Sequence, residues 1–160
     1  MKDQSNKLAA VSKAFLSYFY VGYIPKAPGT FGSAATIPLI LILSYLNISI
    51  WHLGSLIVLL TLAAGISAEY IQQRQGVHDP QWIVMDEVIG MLVTWAFIFP
   101  RVEPKTLLIL FVLFRIFDIV KFWPASYFDK KIKHGFGTIL DDVISGIMAG
   151  IVLWALKNYY

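Results

Sequence analysis

Apolar residues run along this chain in long stretches broken by short polar interruptions, without the strict alternation of a half-buried strand. Five stretches read as membrane-embedded helices: about 33–46, 53–71, 82–99, 106–123 and 139–156. A crossing takes about 20 mostly apolar residues, so the first is short unless the end of the preceding loop joins it. The breaks carry turn and loop chemistry at 47–49, 72–81 and 100–105, with a basic connector at 130–137. Ahead of the first span, 22–33 holds two prolines and three glycines and reads as an irregular loop. Earlier still, Phe15, Tyr18 and Phe19 fall at i, i+3 and i+4 behind Lys2, Lys7 and Lys13, the pattern of a helix lying along a membrane surface. A signal peptide is excluded, because the apolar run there is short, aromatic and followed by no small-x-small cleavage site. The pattern predicts an all-α, polytopic membrane helix bundle of about five membrane-embedded helices. It forms a single unit, 1–160, with 1–24 as an N-terminal interfacial helix and 25–160 as the bundle that carries the chemistry.

Composition agrees with that class. The chain is 58% hydrophobic and only 14% charged, and its mean hydropathy is +0.67, outside the soluble norm. With no cysteine, disulfides, zinc–thiolate sites and a cysteine nucleophile are excluded. The basic residues are scattered among apolar spans rather than gathered in one stripe, which argues against nucleic acid as a partner. Their distribution orients the spans. Lys2, Lys7, Lys13, Lys26, Arg74, Lys121, Lys130, Lys131 and Lys133 fall on one side, against Arg101, Lys105 and Lys157 on the other. The positive-inside rule then places the N-terminus in the cytoplasm.

With that orientation the unusual polar residues converge on one depth. Asp86 and Glu87 open the third span, Asp118 closes the fourth, and Asp141 and Asp142 open the fifth, all toward the cytoplasm. Adjacent carboxylates in an apolar setting repel unless a cation or proton sits between them. Clustered carboxylates with few histidines are hard oxygen donors that suit Mg²⁺. Charges set at helix N-termini against the macrodipole would account for one of each doublet, but not for Asp118 near a C-terminus. Arg115, Asp118 and Lys121, at i, i+3 and i+6, share a broad helix face on which the two cations can meet phosphate oxygens; an intrahelical ion-pair ladder is the plainer use of that spacing. Thr30, Gly32 and Ser33 at a span start offer hydroxyls and N–H groups to a phosphate, or simply cap the helix. Asp142, Gly146 and Gly150 form an i, i+4, i+8 stripe, and Asp86 is followed by Gly90 at i+4, so small residues allow the carboxylate-bearing helices to approach closely. His78 and His134, in loops, are possible proton carriers or merely solvated. A divalent metal and a phosphate cradle at headgroup level point to phosphoryl chemistry on a lipid. The competing reading is a small cation or proton-coupled carrier, which calls for carboxylates at mid-membrane and commonly an inverted repeat; no repeat is visible.

Four ordered motifs carry a resemblance. They are Gly22-x-x-Pro-x-Ala-Pro-Gly-Thr-x-Gly-Ser33, Gly76-Val-His-Asp-x-x-x-Ile-Val-x-Asp-Glu-x-Ile-Gly90, Phe114-Arg-Ile-Phe-Asp118 running on through Lys121, and Gly135-Phe-Gly-Thr-Ile-Leu-Asp-Asp-Val-Ile-Ser-Gly146. In these the sequence resembles the phosphatidylglycerophosphatase A family over nearly the whole chain beyond the first dozen residues. It departs at Phe122, where the family usually has proline, and around His134 to Ile139; neither departure removes an acidic residue. The resemblance implies a Mg²⁺-dependent phosphatase of the bacterial cytoplasmic membrane that converts phosphatidylglycerophosphate to phosphatidylglycerol. On that reading Asp86, Glu87, Asp118, Asp141 and Asp142 are the metal and catalytic carboxylates, with Asp142 or Glu87 as the base. Lys26, Thr30, Gly32, Ser33, Arg115 and Lys121 hold the phosphate, and His78 and Asp79 are accessory. Sequence leaves the oligomeric state open.

Overall fold

The computed structural model describes residues 2–77, 80–131, 134–157 and 159. Among them are seven helices and no strand. They are α1 (Lys2–Leu16), α2 (Pro28–Tyr45), α3 (Ile50–Gln75), α4 (Met85–Ala96), α5 (Pro104–Val120), α6 (Ala125–Lys131) and α7 (Gly135–Leu156), with a 3-10 turn at Val21–Tyr23. Three of them, α2, α3 and α7, are long and apolar enough to cross a membrane.

The helix ends follow from local chemistry. Pro28 takes the first position of α2, where its missing N–H would have no intrahelical partner. The residues expected to be a loop therefore join the helix from 28 onward and bring it to 18 residues. Ser49 caps α3 by accepting the His52 N–H, and Gly76 ends it in the left-handed region at φ 65°. The 26 residues between extend ~39 Å at 1.5 Å per residue. By contrast, the apolar run 82–99 forms a helix of only 12 residues, ~18 Å long.

The N-terminal segment differs from the sequence pattern. Helix α1 stops at Leu16, and Tyr18, Phe19 and Tyr20 turn through left-handed φ values of 46°, 54° and 71°. The i, i+3, i+4 aromatic spacing thus does not lie on one helix face. Tertiary pinning is the reason: Leu16 is fully buried, and its carbonyl accepts the Val84 N–H at 2.9 Å, just ahead of α4.

Helix α7 is the hub, packing against α3, α4, α5 and α6, while α4 lies among α2, α3, α5 and α7. Glycines set the α4–α7 distance. A Cβ on Gly146 would lie 2.5 Å from the Gly90 carbonyl oxygen, and one on Gly90 would strike the Phe114 ring. Thr94 Oγ1 bridges the same seam, donating toward Gly90 O and Gly146 O. Large apolar side chains stand exposed in stripes: Val58, Leu59, Leu62 and Ile66 on α3, Leu108, Val112, Ile116 and Ile119 on α5, and Ile147, Ile151 and Trp154 on α7. Helix α4 exposes none. Contiguous apolar patches on this scale are foreign to a water-facing surface and are consistent with a membrane protein. The wrapped helix, α4, carries one of the two adjacent carboxylate pairs, Asp86 and Glu87.

Candidate active site

Three helix ends meet at one end of the bundle. Helix α4 brings Asp86 and Glu87 in its first turn, α5 brings Arg115 and Asp118 in its last turns with Lys121 just beyond, and α7 brings Asp141 and Asp142. All seven line one cleft of about 470 Å³, with Gly29 of α2 and Thr138 of α7 also in its wall. Asp86, Asp118, Asp141 and Asp142 are each less than a tenth exposed. Oxygens of Asp86, Glu87 and Asp142 all lie within 4.8 Å of one another.

The cations are threaded through this acidic set. Arg115 Nη1 lies 2.5 Å from Asp118 Oδ2 and 3.9 Å from Glu87 Oε1. It also donates to Ser33 Oγ at 3.4 Å. Lys121 Nζ contacts Asp141 Oδ2 at 2.6 Å. Within the doublet, the Glu87 N–H donates to Asp86 Oδ1 at 3.1 Å. Two polar atoms here, Glu87 Oε2 and Arg115 Nε, are buried without a hydrogen-bond partner among the described residues. Such groups are costly unless a ligand satisfies them.

Helix α7 begins four residues before the apolar pattern suggested, so Asp141 and Asp142 are its seventh and eighth residues. The macrodipole acts within the first turn, and it therefore does not account for this buried doublet. Asp118 sits near a C-terminus, where the macrodipole opposes it and Arg115 offsets it.

The residues expected to cradle phosphate divide. Arg115 and Lys121 line the cleft; Lys26, Thr30, Gly32 and Ser33 do not. Ser33 is fully buried and donates to the Gly29 carbonyl at 2.8 Å while accepting from Arg115, so it backs the guanidinium from behind. Gly32 packs on Val84, where a Cβ would come within 2.8 Å of the valine Cβ. Lys26 is exposed in the turn before α2. His78 and Asp79 lie outside the described residues. Sequence reasoning passed over Gly29 as an individual residue: a Cβ there would strike Glu87 Oε1 and lie 3.2 Å from Arg115 Nη1. Its position directly after Pro28 in the loop motif was the available signal.

Fold and site together define a membrane-type, all-helical protein with an acidic cleft, threaded by two cations, at one end of its bundle. The family model described as phosphatidylglycerophosphatase A matches residues 14–157. A Haemophilus influenzae protein named phosphatidylglycerophosphatase A is 39% identical over 146 residues, covering 88% of this chain and 85% of its own length. The Escherichia coli protein of the same name is 34% identical over 143 residues, covering 89% and 81%. A Bacteroides thetaiotaomicron protein, provisionally named a phosphatidylinositol-3-phosphatase, is 32% identical over 140 residues, covering 84% and 86%. No solved structure matches. The chain belongs to the phosphatidylglycerophosphatase A family, and it is a phosphatase.

Proposed function

We propose that this chain hydrolyses phosphatidylglycerophosphate to phosphatidylglycerol and inorganic phosphate, with Mg²⁺ as cofactor and the reaction at the cytoplasmic face of a bacterial cytoplasmic membrane. The names of its bacterial relatives support the substrate. The observation that carries the chemistry is the meeting of five carboxylates, a guanidinium and an ammonium from three helices in one cleft.

The donor set fits a hard divalent cation. It offers carboxylate oxygens within 4.8 Å of one another, and Glu87 Oε2 is buried with no partner among the described residues. Asp86, Glu87 and Asp142 would hold the metal, with Asp118 and Asp141 beside them. When bound, Mg²⁺ polarises a phosphoryl oxygen and lowers the pKa of an attacking water. Arg115 and Lys121 meet the equatorial oxygens, where phosphoryl transfer spreads negative charge. Asp142 or Glu87 accepts the water's proton as the water oxygen bonds to phosphorus. The bond from phosphorus to the glycerol oxygen breaks, and a proton returns to that oxygen to give the alcohol. Ser33 and Gly29 hold the Arg115–Glu87 pair rather than the substrate.

Membrane depth follows from the aromatic residues. Phe19, Tyr20, Tyr23, Phe122, Trp123 and Tyr127 stand exposed at the cleft end; Tyr45, Trp51, Trp154 and Tyr159 stand exposed at the opposite end. Two such girdles suit the two headgroup layers and support a cleft at the level of a lipid phosphate. In this reading α2, α3, α4, α5 and α7 are embedded and α1 lies at the interface. A cation carrier is not favoured, since its carboxylates belong at mid-membrane.

The test is phosphate release from phosphatidylglycerophosphate in detergent micelles, with Mg²⁺ and then with excess chelator. Turnover that stops with chelator and returns with Mg²⁺ is expected. Folded protein with no turnover under either condition refutes the assignment. The chain has no native cysteine, so single cysteines at Gln75 and Glu103 report topology directly. Only the Glu103 variant should react with an impermeant maleimide in spheroplasts.

A further inference from the structure

Glu69 is a carboxylate in the last two turns of a membrane-length helix, and the proposed chemistry makes no use of it. Its side chain reaches out of α3 to the start of α7, where Oε2 accepts the Gly135 N–H at 2.6 Å. Its Oε1 accepts from Gln73 at 2.5 Å. Helix α7 has no side-chain cap of its own, because His134 at the cap position makes no such bond. A neighbouring helix therefore supplies the acceptor that the first free N–H groups need. Two further contacts lie on the same stripe of α3. Gln72 Nε2 donates to Thr138 Oγ1 at 2.9 Å, with both side chains buried. Gly65 makes room for Phe136, whose ring would be 2.5 Å from a Cβ on that glycine. Gly135 in turn packs so closely that its Cβ would strike the Glu69 backbone nitrogen.

Residues 65, 69 and 72, at i, i+4 and i+7, thus grip residues 135, 136 and 138. Thr138 lines the cleft, and Asp141 and Asp142 follow it at i+3 and i+4, on the same side of α7. We propose that Glu69 and Gln72 are positioning residues, which fix the rotation and sliding of α7 and so aim Asp141 and Asp142 into the cleft. This rests on the reading of that cleft as the active site. One bond would leave α7 free to pivot; two bonds a turn apart do not. A helix is ~10–12 Å across, so a rotation of about 10° moves a carboxylate at its surface by about 1 Å. A displacement of that size at a catalytic group costs on the order of 10²-fold in rate.

The experiment compares Glu69→Ala, Glu69→Gln, Gln72→Leu and Thr138→Val for kcat and KM on micellar phosphatidylglycerophosphate, for Mn²⁺ binding by electron paramagnetic resonance without substrate, and for thermal unfolding. Glu69→Ala should lower kcat by about 10²-fold with little change in KM, and weaken Mn²⁺ binding by about tenfold. Glu69→Gln keeps an oxygen acceptor for the Gly135 N–H and should restore both to within a few-fold of wild type. Gln72→Leu and Thr138→Val both break the Gln72–Thr138 hydrogen bond, so the double variant should be no worse than the more impaired single. They serve as the test if Glu69→Ala does not fold. A purely structural role predicts a lower unfolding temperature while the folded molecules keep wild-type kcat and Mn²⁺ affinity. That result overturns the proposal, as does a Glu69→Gln variant as impaired as Glu69→Ala. Mn²⁺ binding needs no substrate, so a wild-type protein inactive on this lipid refutes the assigned reaction and leaves the positioning result legible.

Discussion

Gly146→Ala adds one methyl group where α7 meets the backbone of α4. The new Cβ would lie 2.5 Å from Gly90 O and 3.1 Å from the Gly90 carbonyl carbon, both of them backbone atoms that cannot swing aside. A comfortable carbon–oxygen contact is ~3.3 Å or more, so α4 and α7 must part by about 0.8 Å at this level. Overpacking of this kind costs about 1–3 kcal/mol. The functional effect should be larger than the stability effect. Gly90 lies one turn below Asp86, and Gly146 one turn below Asp142, so the parting moves two carboxylates of the proposed metal site away from each other. A misplacement near 1 Å corresponds to a loss of about 10²-fold in turnover. The assay is phosphate release from micellar substrate at saturating Mg²⁺, paired with thermal unfolding of the same preparation. Gly54→Ala is the control. Nothing lies within 4 Å of its added Cβ, so it should leave turnover unchanged and stabilise by about 0.4–1 kcal/mol. Wild-type kcat/KM in Gly146→Ala would refute the argument that the glycine seam sets the carboxylate spacing.

Other outcomes test the remaining assignments. Arg115→Lys keeps the charge but loses the planar guanidinium, whose Nη1 lies against Asp118, Glu87 and Ser33. Turnover should fall by about 10²–10³-fold, and a variant within a few-fold of wild type removes Arg115 from phosphate binding. Glu87→Gln and Asp142→Asn should each abolish most turnover; near-normal rates in both would eliminate them as the base. Leu62→Lys places a charge near the middle of α3 on its exposed apolar stripe. In a bilayer this costs about 2.5–3.5 kcal/mol and should deplete the protein from the membrane fraction, whereas Leu62→Met should not. Undiminished membrane content of the lysine variant would contradict the lipid-facing reading of α3.

The metal-site hypothesis was legible before any fold was known, because carboxylates in apolar runs are expensive and charge asymmetry put all five at one depth. The cleft does bring Asp86, Glu87, Asp118, Asp141 and Asp142 together with Arg115 and Lys121. Less legible were residues whose role depends on a distant neighbour. Ser33 is a reasonable phosphate ligand by sequence; in the fold it is buried behind Arg115. Glu69 and Gln72 resemble the polar end of a span until α7 arrives beside them.

By itself the sequence determined the all-helical class, the membrane-type composition and the identity of the polar groups that must be satisfied. These depend on composition and on neighbours within a few residues. Only the tertiary structure decided which apolar helix is wrapped in protein and which faces lipid. In a bilayer both surroundings are apolar, so periodicity along one helix does not separate them. Helix α4, with no large apolar side chain exposed, and α3, with a whole stripe of them, read alike in one dimension. Their difference arises only when the glycines of α4 and α7 let two backbones touch.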